Sequence, residues 1–200
     1  MHFSKAASDV IAFHNKFDLK PLSMGGKPEF KLRYDRLVEE LDEIQEALDE
    51  NDKGKFLDAL VDTVYIAVGT LYLYDEVHWF TNDFDYPVQP GIEPCSFMNR
   101  FNAKELRAYF TDDEATHCKH LASLVNHIFV WCANNNWPFD EAWDEVQKAN
   151  MAKERAKPDA SDSKHKSGQD IVKPEGWAAP DIHKVVEWHQ TKGGQMEMDV

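Results

Sequence analysis

The sequence predicts an all-α protein, and three observations lead to that prediction. Apolar residues recur at three- and four-residue steps through long stretches, as they do along one face of a helix. Proline and glycine clusters lie between these stretches. Only a few residues join the second stretch to the third, so these two helices are expected to pack antiparallel. We expect a four-helix-bundle-like core with a long loop insertion and an extended C-terminal arm.

Three helices are expected in the first part of the chain. The first spans residues 4–17, with Ser4 as its N-cap. A long amphipathic helix follows over residues 28–50, with Pro28 at its start. The third helix, residues 55–74, is almost continuously apolar. A single small bundle is not expected to cover such a surface, which favours self-association into a homodimer or homotetramer.

The middle of the chain has a different amino-acid composition. Residues 75–102 are rich in aromatic side chains and proline and show neither a helical nor a strand period, which predicts a loop insertion. Helical spacing returns over residues 121–131, breaks at residues 134–138 and resumes over residues 139–153. Two helices are therefore expected after the insertion.

The chain is expected to divide at about residue 155. Residues 1–155 are expected to form the all-α domain, and residues 156–200 the extended arm. The arm is polar and low in apolar content as far as Gly168. A short helix is expected within it at residues 182–190.

Composition excludes several classes of partner. The 200 residues carry 36 acidic and 22 basic side chains, a formal charge of −14, so a nucleic-acid polymer is not expected as a ligand. A small anionic substrate fits if metal ions neutralise it. The three cysteines lack a CxxC pair, which fits a reducing cytoplasm. No stretch resembles a signal peptide or approaches a membrane span, so we expect a soluble cytoplasmic protein with no membrane partner.

Five acidic residues are expected to converge between the second and third helices. Glu39 and Glu43 lie at i and i+4, as do Asp58 and Asp62, while Glu40 neighbours Glu43 at i and i+3. Antiparallel packing brings the two groups together. One interpretation is a divalent-metal site, and the other is a solvated acidic surface.

The surroundings of Asp62 favour the metal site. Asp62 lies in a strongly apolar stretch, and a buried carboxylate without a partner is costly unless it binds a metal ion or takes up a proton. A solvated face accounts for Glu39 but not for Asp62. Ligands that are all oxygen suit Mg²⁺ or Mn²⁺.

Three motifs point to a known family. RLVEELDE at residues 36–43 is followed by DALVDTVY at 58–65 and KANMAK at 148–153. In this order they resemble the MazG-like all-α nucleotide pyrophosphohydrolases, most closely the phosphoribosyl-ATP pyrophosphohydrolase-like branch. The resemblance covers roughly residues 8–74 and 121–183, including Phe13-His14 and GQDIVKP at residues 168–174.

The resemblance implies hydrolysis of a nucleoside triphosphate between its α and β phosphates, with residues 1–155 as the catalytic domain. Two departures stand out. Many members carry Glu three residues before the last Asp, where this chain has Ala59, with Asp58 one step earlier. The segment from Asp75 to about His120 is also longer than the family's usual connection.

Roles for the candidate residues follow as hypotheses. Metal binding is assigned to Glu40, Glu43 and Asp62, with Asp58 as the fourth ligand, and Glu39 is assigned to orient or deprotonate the attacking water. The residues assigned to substrate binding are Lys148, Lys153, Asn150 and His14. Aromatic residues in the insertion, or Phe13, His14 and Trp177, are candidates to stack on a base, although packing onto the bundle or at a subunit interface is the favoured interpretation for each one.

Other patterns and functions are weighed beside this one. His117, Cys118, His120 and His127 are interpreted as structural or surface residues rather than a transition-metal site. The sequence MGGK at residues 24–27 lacks the spacing of a phosphate-binding P-loop and is interpreted as a turn. The alternative functions are hydrolysis of phosphoribosyl-ATP or a related metabolite, and a non-catalytic helical assembly protein whose acids are surface charge.

Overall fold

The structure is a computed structural model that describes residues 3–77 and 114–193. Within them the chain forms six α-helices, and the prediction of an all-α fold is confirmed. Their bounds are α1 Phe3–Lys16, α2 Phe30–Asp49, α3 Lys53–Leu73, α4 Glu114–Asn134, α5 Phe139–Met151 and α6 Ile182–Thr191. The predicted bounds agree to within a few residues at most ends, and the predicted break at 134–138 separates α4 from α5. Of the predicted insertion, residues 78–102 lie outside the described residues.

Helix α3 is the central element of the fold, and it contacts each of the other five helices. Its core side chains include Leu57, Val61, Val64 and Leu71, all fully buried. Tight aromatic packing surrounds its first turns, where the Phe56 ring meets Trp131 and Trp137 at centroid distances of 5.5 and 5.2 Å. Because one chain covers α3 on so many sides, its apolar character no longer argues for self-association. A homo-oligomer remains a prediction without that support.

The link between α2 and α3 places their acidic faces side by side. Asn51 has a left-handed backbone, with φ of 53°, which reverses the chain directly after α2. Asp52 then caps α3 by accepting a hydrogen bond from the backbone N–H of Lys55 at 2.9 Å. The turn is short, so α2 and α3 pack antiparallel over much of their length, as predicted.

The C-terminal segment returns to the helical core, and the extended arm is not confirmed. Strand β1, Glu154–Arg155, pairs antiparallel with β2, Ile171–Val172. Beyond β2, helix α6 packs against α3. The Arg155 guanidinium also donates to the carbonyl oxygen of Phe17 at 3.0 Å. A boundary at residue 155 would therefore separate the two strands of one sheet.

Helix α3 corrects the expectation that no stretch approaches a membrane span. By length and composition alone, Lys53–Leu73 is able to cross a membrane, with a mean hydropathy of 1.5 in its best window. However, 78% of that window is buried inside the protein. A core helix of a soluble protein satisfies the same criterion, so this finding by itself does not indicate a membrane.

Candidate active site

A cavity of about 510 Å³ lies between α2, α3, the end of α5 and the returning C-terminal segment. All five predicted acids line it, from α2 and α3. Basic side chains also line it, namely Arg33, Arg36, Lys153, Lys164 and Lys173. Its volume is within the usual range for a small-molecule site. We refer to the five acids as the acidic wall of the cavity and to these five basic side chains as its basic wall.

The four predicted metal ligands share the acidic wall and repel one another. Glu40 is buried, Asp58 and Asp62 are half-buried, and Glu43 is exposed. Burial, and then the charges of Asp62 and Glu43, raise the pKa of Asp58 to about 7. The same causes raise the pKa of Glu40 well above its ordinary range, and burial raises that of Asp62. Asp62 lines the same cavity as Glu40 and Glu43.

The donor atoms of the acidic wall suit a divalent cation, but their positions in the structure do not form a metal site. The available donors are carboxylate oxygens, which suit Mg²⁺ or Mn²⁺. One of them, Asp58 Oδ1, is buried without a hydrogen-bond partner. Within residues 3–77 and 114–193, however, no three His, Cys, Asp or Glu side chains are arranged to hold a metal ion. Binding therefore requires these carboxylates to draw together from the positions seen.

Glu39 stands at the edge of the cavity in contact with three basic groups. Its carboxylate lies 2.5 Å from Lys164 Nζ, 3.3 Å from His165 Nε2 and 3.7 Å from Arg36 Nη1. Lys164 is 76% exposed, so its ion pair with Glu39 is weak and readily exchanged for water. Glu39 is thus placed differently from the other four acids, which lack such close basic partners among the described ion pairs.

Arg36 and Asp170 form the contact that brings the C-terminal segment over α2. Arg36 Nη2 donates to Asp170 Oδ1 at 2.6 Å, and Ser163 Oγ donates to Asp170 Oδ2 at 2.8 Å. Burial by itself would raise the pKa of Asp170, but the Arg36 and Ser163 hydrogen bonds outweigh burial and lower it. The Asp170 carboxylate is therefore held ionised in a nearly buried position.

The basic wall includes two lysines beside the indole of Trp177. Lys173 Nζ and Lys153 Nζ lie 4.7 and 5.4 Å from the Trp177 ring centroid. The indole N–H donates to the carbonyl oxygen of Ala149 at 2.8 Å. Asn150, buried at the end of α5, lines the cavity next to them.

His14 lies at another wall of the cavity, packed against α3. Its Nδ1 bonds to the carbonyl oxygen of Val10 at 2.8 Å, and a carbonyl accepts only, so Nδ1 carries the proton. Burial, and then the nearby Arg33 guanidinium, lower the pKa of His14 to about 3, so the ring is neutral at pH 7. Gly69 makes this packing possible, because a Cβ there would lie 2.7 Å from His14 Cε1.

The structure brings most of the predicted site residues together. Besides the acids, the cavity is lined by Lys153, Asn150, His14, Phe13 and Trp177. Lys148 does not line it; its side chain is 79% exposed, and its Nζ lies 3.8 Å from Glu145 Oε2. Lys148 and Lys153 are five residues apart, which turns their side chains in different directions once α5 ends at Met151.

Among the basic residues of the cavity, sequence reasoning identified Lys153 but missed Arg33, Arg36, Lys164 and Lys173. Arg36 is the first residue of RLVEELDE, and Asp170 and Lys173 stand within GQDIVKP, a sequence noted only for its family resemblance. The available signal was the presence of two charged residues, Asp170 and Lys173, in a motif that is otherwise half apolar. The contact between Asp170 and Arg36 spans 134 residues, so residue spacing in the sequence does not predict it. The candidate aromatics of the insertion lie outside the described residues.

The fold and cavity define a class of protein: an all-α protein with a carboxylate-lined cavity between antiparallel helices. Residues 12–75 match the family model described as phosphoribosyl-ATP pyrophosphohydrolase. The chain therefore carries a domain of this family, in the MazG-like all-α pyrophosphohydrolase branch, which implies a pyrophosphohydrolase. Comparisons with curated proteins and with solved structures gave no match. The matched range contains the five acids and His14 but none of the cavity residues after α3.

Proposed function

We propose that the protein is a metal-dependent nucleoside triphosphate pyrophosphohydrolase that releases a nucleoside monophosphate and pyrophosphate. The observation that supports this proposal is the cavity itself, in which carboxylates able to hold divalent cations face cations able to hold phosphates. Water attacks the α phosphorus, the bond to the bridging oxygen of the β phosphate breaks, and pyrophosphate leaves. The family match supports the coarser reaction class.

Glu40, Glu43, Asp58 and Asp62 are the proposed ligands of Mg²⁺ or Mn²⁺. Bound there, the cation would offset the charge of the triphosphate and lower the pKa of a coordinated water. Burial, and then the charges of Asp62 and Glu43, raise the pKa of Asp58, and a cation between the carboxylates would offset the repulsive part of that effect. Loss of any one of them is expected to weaken metal binding.

Glu39 is the proposed general base. It accepts the proton of the attacking water at a carboxylate oxygen, while the other four acids are occupied by the cation. The ion pair with the exposed Lys164 has to loosen for this step, and it is weak enough to do so.

The remaining proposed contacts bind the substrate. Lys153 neutralises phosphate charge, and the buried Asn150 amide donates a hydrogen bond to a phosphate or sugar oxygen. Phe13 and the neutral His14 border the part of the cavity proposed for the nucleoside. These roles place the phosphates between the acidic and the basic walls.

Phosphoribosyl-ATP is the second candidate substrate, because the matching family is described by that activity. Its hydrolysis breaks the same type of bond, so the proposed metal and base roles are unchanged. The two candidates differ only in the group attached to the nucleoside, and a direct comparison of rates separates them.

The experiment is a pyrophosphate-release assay with the full chain and Mg²⁺ on dATP, dCTP, dGTP, dUTP, ATP and phosphoribosyl-ATP. Glu43→Gln and Asp62→Asn are expected to reduce turnover by about a hundredfold or more, since each removes a ligand needed for the reaction. Asp42→Asn is the matched control, because Asp42 is exposed on α2 and does not line the cavity. Near wild-type turnover in Glu43→Gln or Asp62→Asn would remove this site from consideration.

A non-catalytic assembly protein is the alternative of a different class. It is favoured if none of these compounds releases pyrophosphate with Mg²⁺ or Mn²⁺. Analytical ultracentrifugation then measures whether the chain self-associates, as that alternative requires.

A further inference from the structure

The ammonium groups of Lys153 and Lys173 both lie beside the indole ring of Trp177 at the basic wall of the cavity. The distances of 4.7 and 5.4 Å from the Trp177 centroid to Lys173 Nζ and Lys153 Nζ are within the range of cation–π attraction, which is strongest for tryptophan. The ring is fixed by its own hydrogen bond to Ala149. Trp177 is therefore a fixed ring that both ammonium groups contact.

Two positive charges beside one ring repel each other, and after burial the charge of Lys173 is among the causes that lower the pKa of Lys153. Lys153 is half-buried, and burial, followed by the charges of Lys173 and Arg36, lowers its pKa, while Asp62 and Glu40 raise it. Offsetting the acidic wall would need no aromatic platform. An anion with several negative charges, by contrast, gains from two cations fixed at one place.

The backbone that carries Lys173 is anchored on both sides. Asp170 is tied to Arg36 at 2.6 Å, and Ile171 and Val172 form the strand paired with Glu154–Arg155. After Lys173, the Trp177 indole is tied to the end of α5. A site on an anchored backbone loses less freedom when a ligand binds.

We propose that Trp177 is a positioning residue that holds Lys153 and Lys173 as a binding site for the diphosphate portion of the substrate. The proposal rests on the proposed function for the identity of that substrate, but inorganic pyrophosphate tests the anion site without any turnover. Lys173 and Trp177 both lie beyond the residues that match the family.

The primary experiment is titration calorimetry of inorganic pyrophosphate into the full chain with Mg²⁺ present. Trp177→Leu is expected to weaken binding by about fivefold to thirtyfold, the loss expected for two cation–π contacts. Trp177→Phe keeps a ring but lacks the N–H, so its affinity is expected to lie between those of wild type and Trp177→Leu. Lys173→Met is expected to weaken binding by about tenfold or more. Lys157→Met is the control, because Lys157 is exposed in the same segment and outside the cavity.

Mg²⁺ titration without pyrophosphate distinguishes anion binding from simple charge balance. If Lys173 only offsets the acids, Lys173→Met changes Mg²⁺ affinity and leaves pyrophosphate affinity unchanged, which overturns the proposal. The expected result is unchanged or tighter Mg²⁺ binding with weaker pyrophosphate binding, since a like charge has been removed. In the hydrolysis assay, Lys173→Met is expected to have a higher KM than wild type and a kcat within about threefold of it. A general loss of structure would not produce this combination.

The outcomes separate the two proposals. Wild-type pyrophosphate affinity in Trp177→Leu and Lys173→Met overturns the anion site, even if nucleotides are hydrolysed. Absence of pyrophosphate binding to the wild type overturns it as well. Variant-sensitive binding of pyrophosphate without hydrolysis of any nucleotide supports the anion site and counts against the proposed function. If Trp177→Leu does not fold, Trp177→Phe and Lys173→Met give the same decision.

Discussion

Arg36 Nη2 and Asp170 Oδ1 lie 2.6 Å apart, although 134 residues separate them in the chain. The contact joins α2, which carries three of the acids, to the strand that precedes Lys173. It is the point at which the C-terminal segment becomes one wall of the cavity.

Asp170→Asn is expected to loosen that segment. The amide oxygen can still accept a hydrogen bond from Arg36, but the carboxylate charge that pairs with the guanidinium is lost, and charged hydrogen bonds are about twice as strong as neutral ones. The measurements are the free energy of unfolding and the rate of proteolysis within residues 156–180. Asp159→Asn is the control, since Asp159 is exposed in the same segment and lies outside the cavity. Equal proteolysis of both variants and wild type would contradict a tethering role.

The acidic wall is expected to contribute less to the stability of the metal-free protein as the pH rises from about 4 to about 7. Burial and mutual repulsion raise the pKa of Asp58 from 3.8 to about 7, and they raise that of Glu40 as well. These two carboxyl groups bind more protons in the folded state than in the unfolded chain in this window, so their contribution to stability falls with rising pH. His14 contributes in the opposite direction, because its lowered pKa favours the folded state as the pH rises towards about 6.5. Thermal unfolding in EDTA measures the effect, and Mg²⁺ is expected to raise Tm more at pH 8 than at pH 5.5.

Glu40→Gln isolates the acidic wall from the other charges of the protein. The variant is expected to unfold in EDTA at a higher temperature than wild type at pH 8, with a flatter pH dependence, and to gain less from Mg²⁺. A steeper loss of stability with pH in Glu40→Gln than in wild type would show that the acids do not repel one another as described.

Substitutions of Lys153 and Lys148 are expected to have very different effects on kcat/KM, although both residues lie near the end of α5. Lys153 lines the cavity, and Lys148 is 79% exposed. Lys153→Met is expected to lower kcat/KM by about tenfold to a hundredfold, the loss of one charged hydrogen bond. Lys148→Met is expected to stay within about twofold of wild type, because surface ion pairs contribute little. Equal losses would show that substrate also reaches Lys148.

Gly69→Ala is expected to destabilise the fold although alanine favours helices. The new Cβ would lie 2.7 Å from Cε1 of the buried His14 and 2.8 Å from Arg33 Nη2, and overpacking of a core costs about 1–3 kcal/mol. Gly54→Ala is the matched comparison on the same helix. Its Cβ meets the ring of His183, which is 59% exposed and can turn aside if its surface contact with Asp52, at 2.9 Å, is given up. Denaturant unfolding of the two variants is expected to rank Gly69→Ala as the less stable.

The sequence by itself determined the helices and the acidic face. Apolar periodicity and short turns act over three to ten residues, and therefore the bounds of α2, α3 and α6 were predictable. The i and i+4 spacing of Asp58 and Asp62 also determined that their side chains project together. These features depend on local geometry, which neighbouring residues impose.

Only the tertiary structure decided how the cavity is closed and which cations line it. The polar composition of the segment after residue 155 predicts an extended arm. The contact between Arg36 and Asp170 and the pairing of β1 with β2 instead hold this segment against the helical core. Lys148 and Lys153 both stand near the end of α5, and the elements that pack around that end decide that Lys153 lines the cavity. Contacts between residues more than a hundred positions apart leave no local period, because the energy that selects them arises only when distant elements meet.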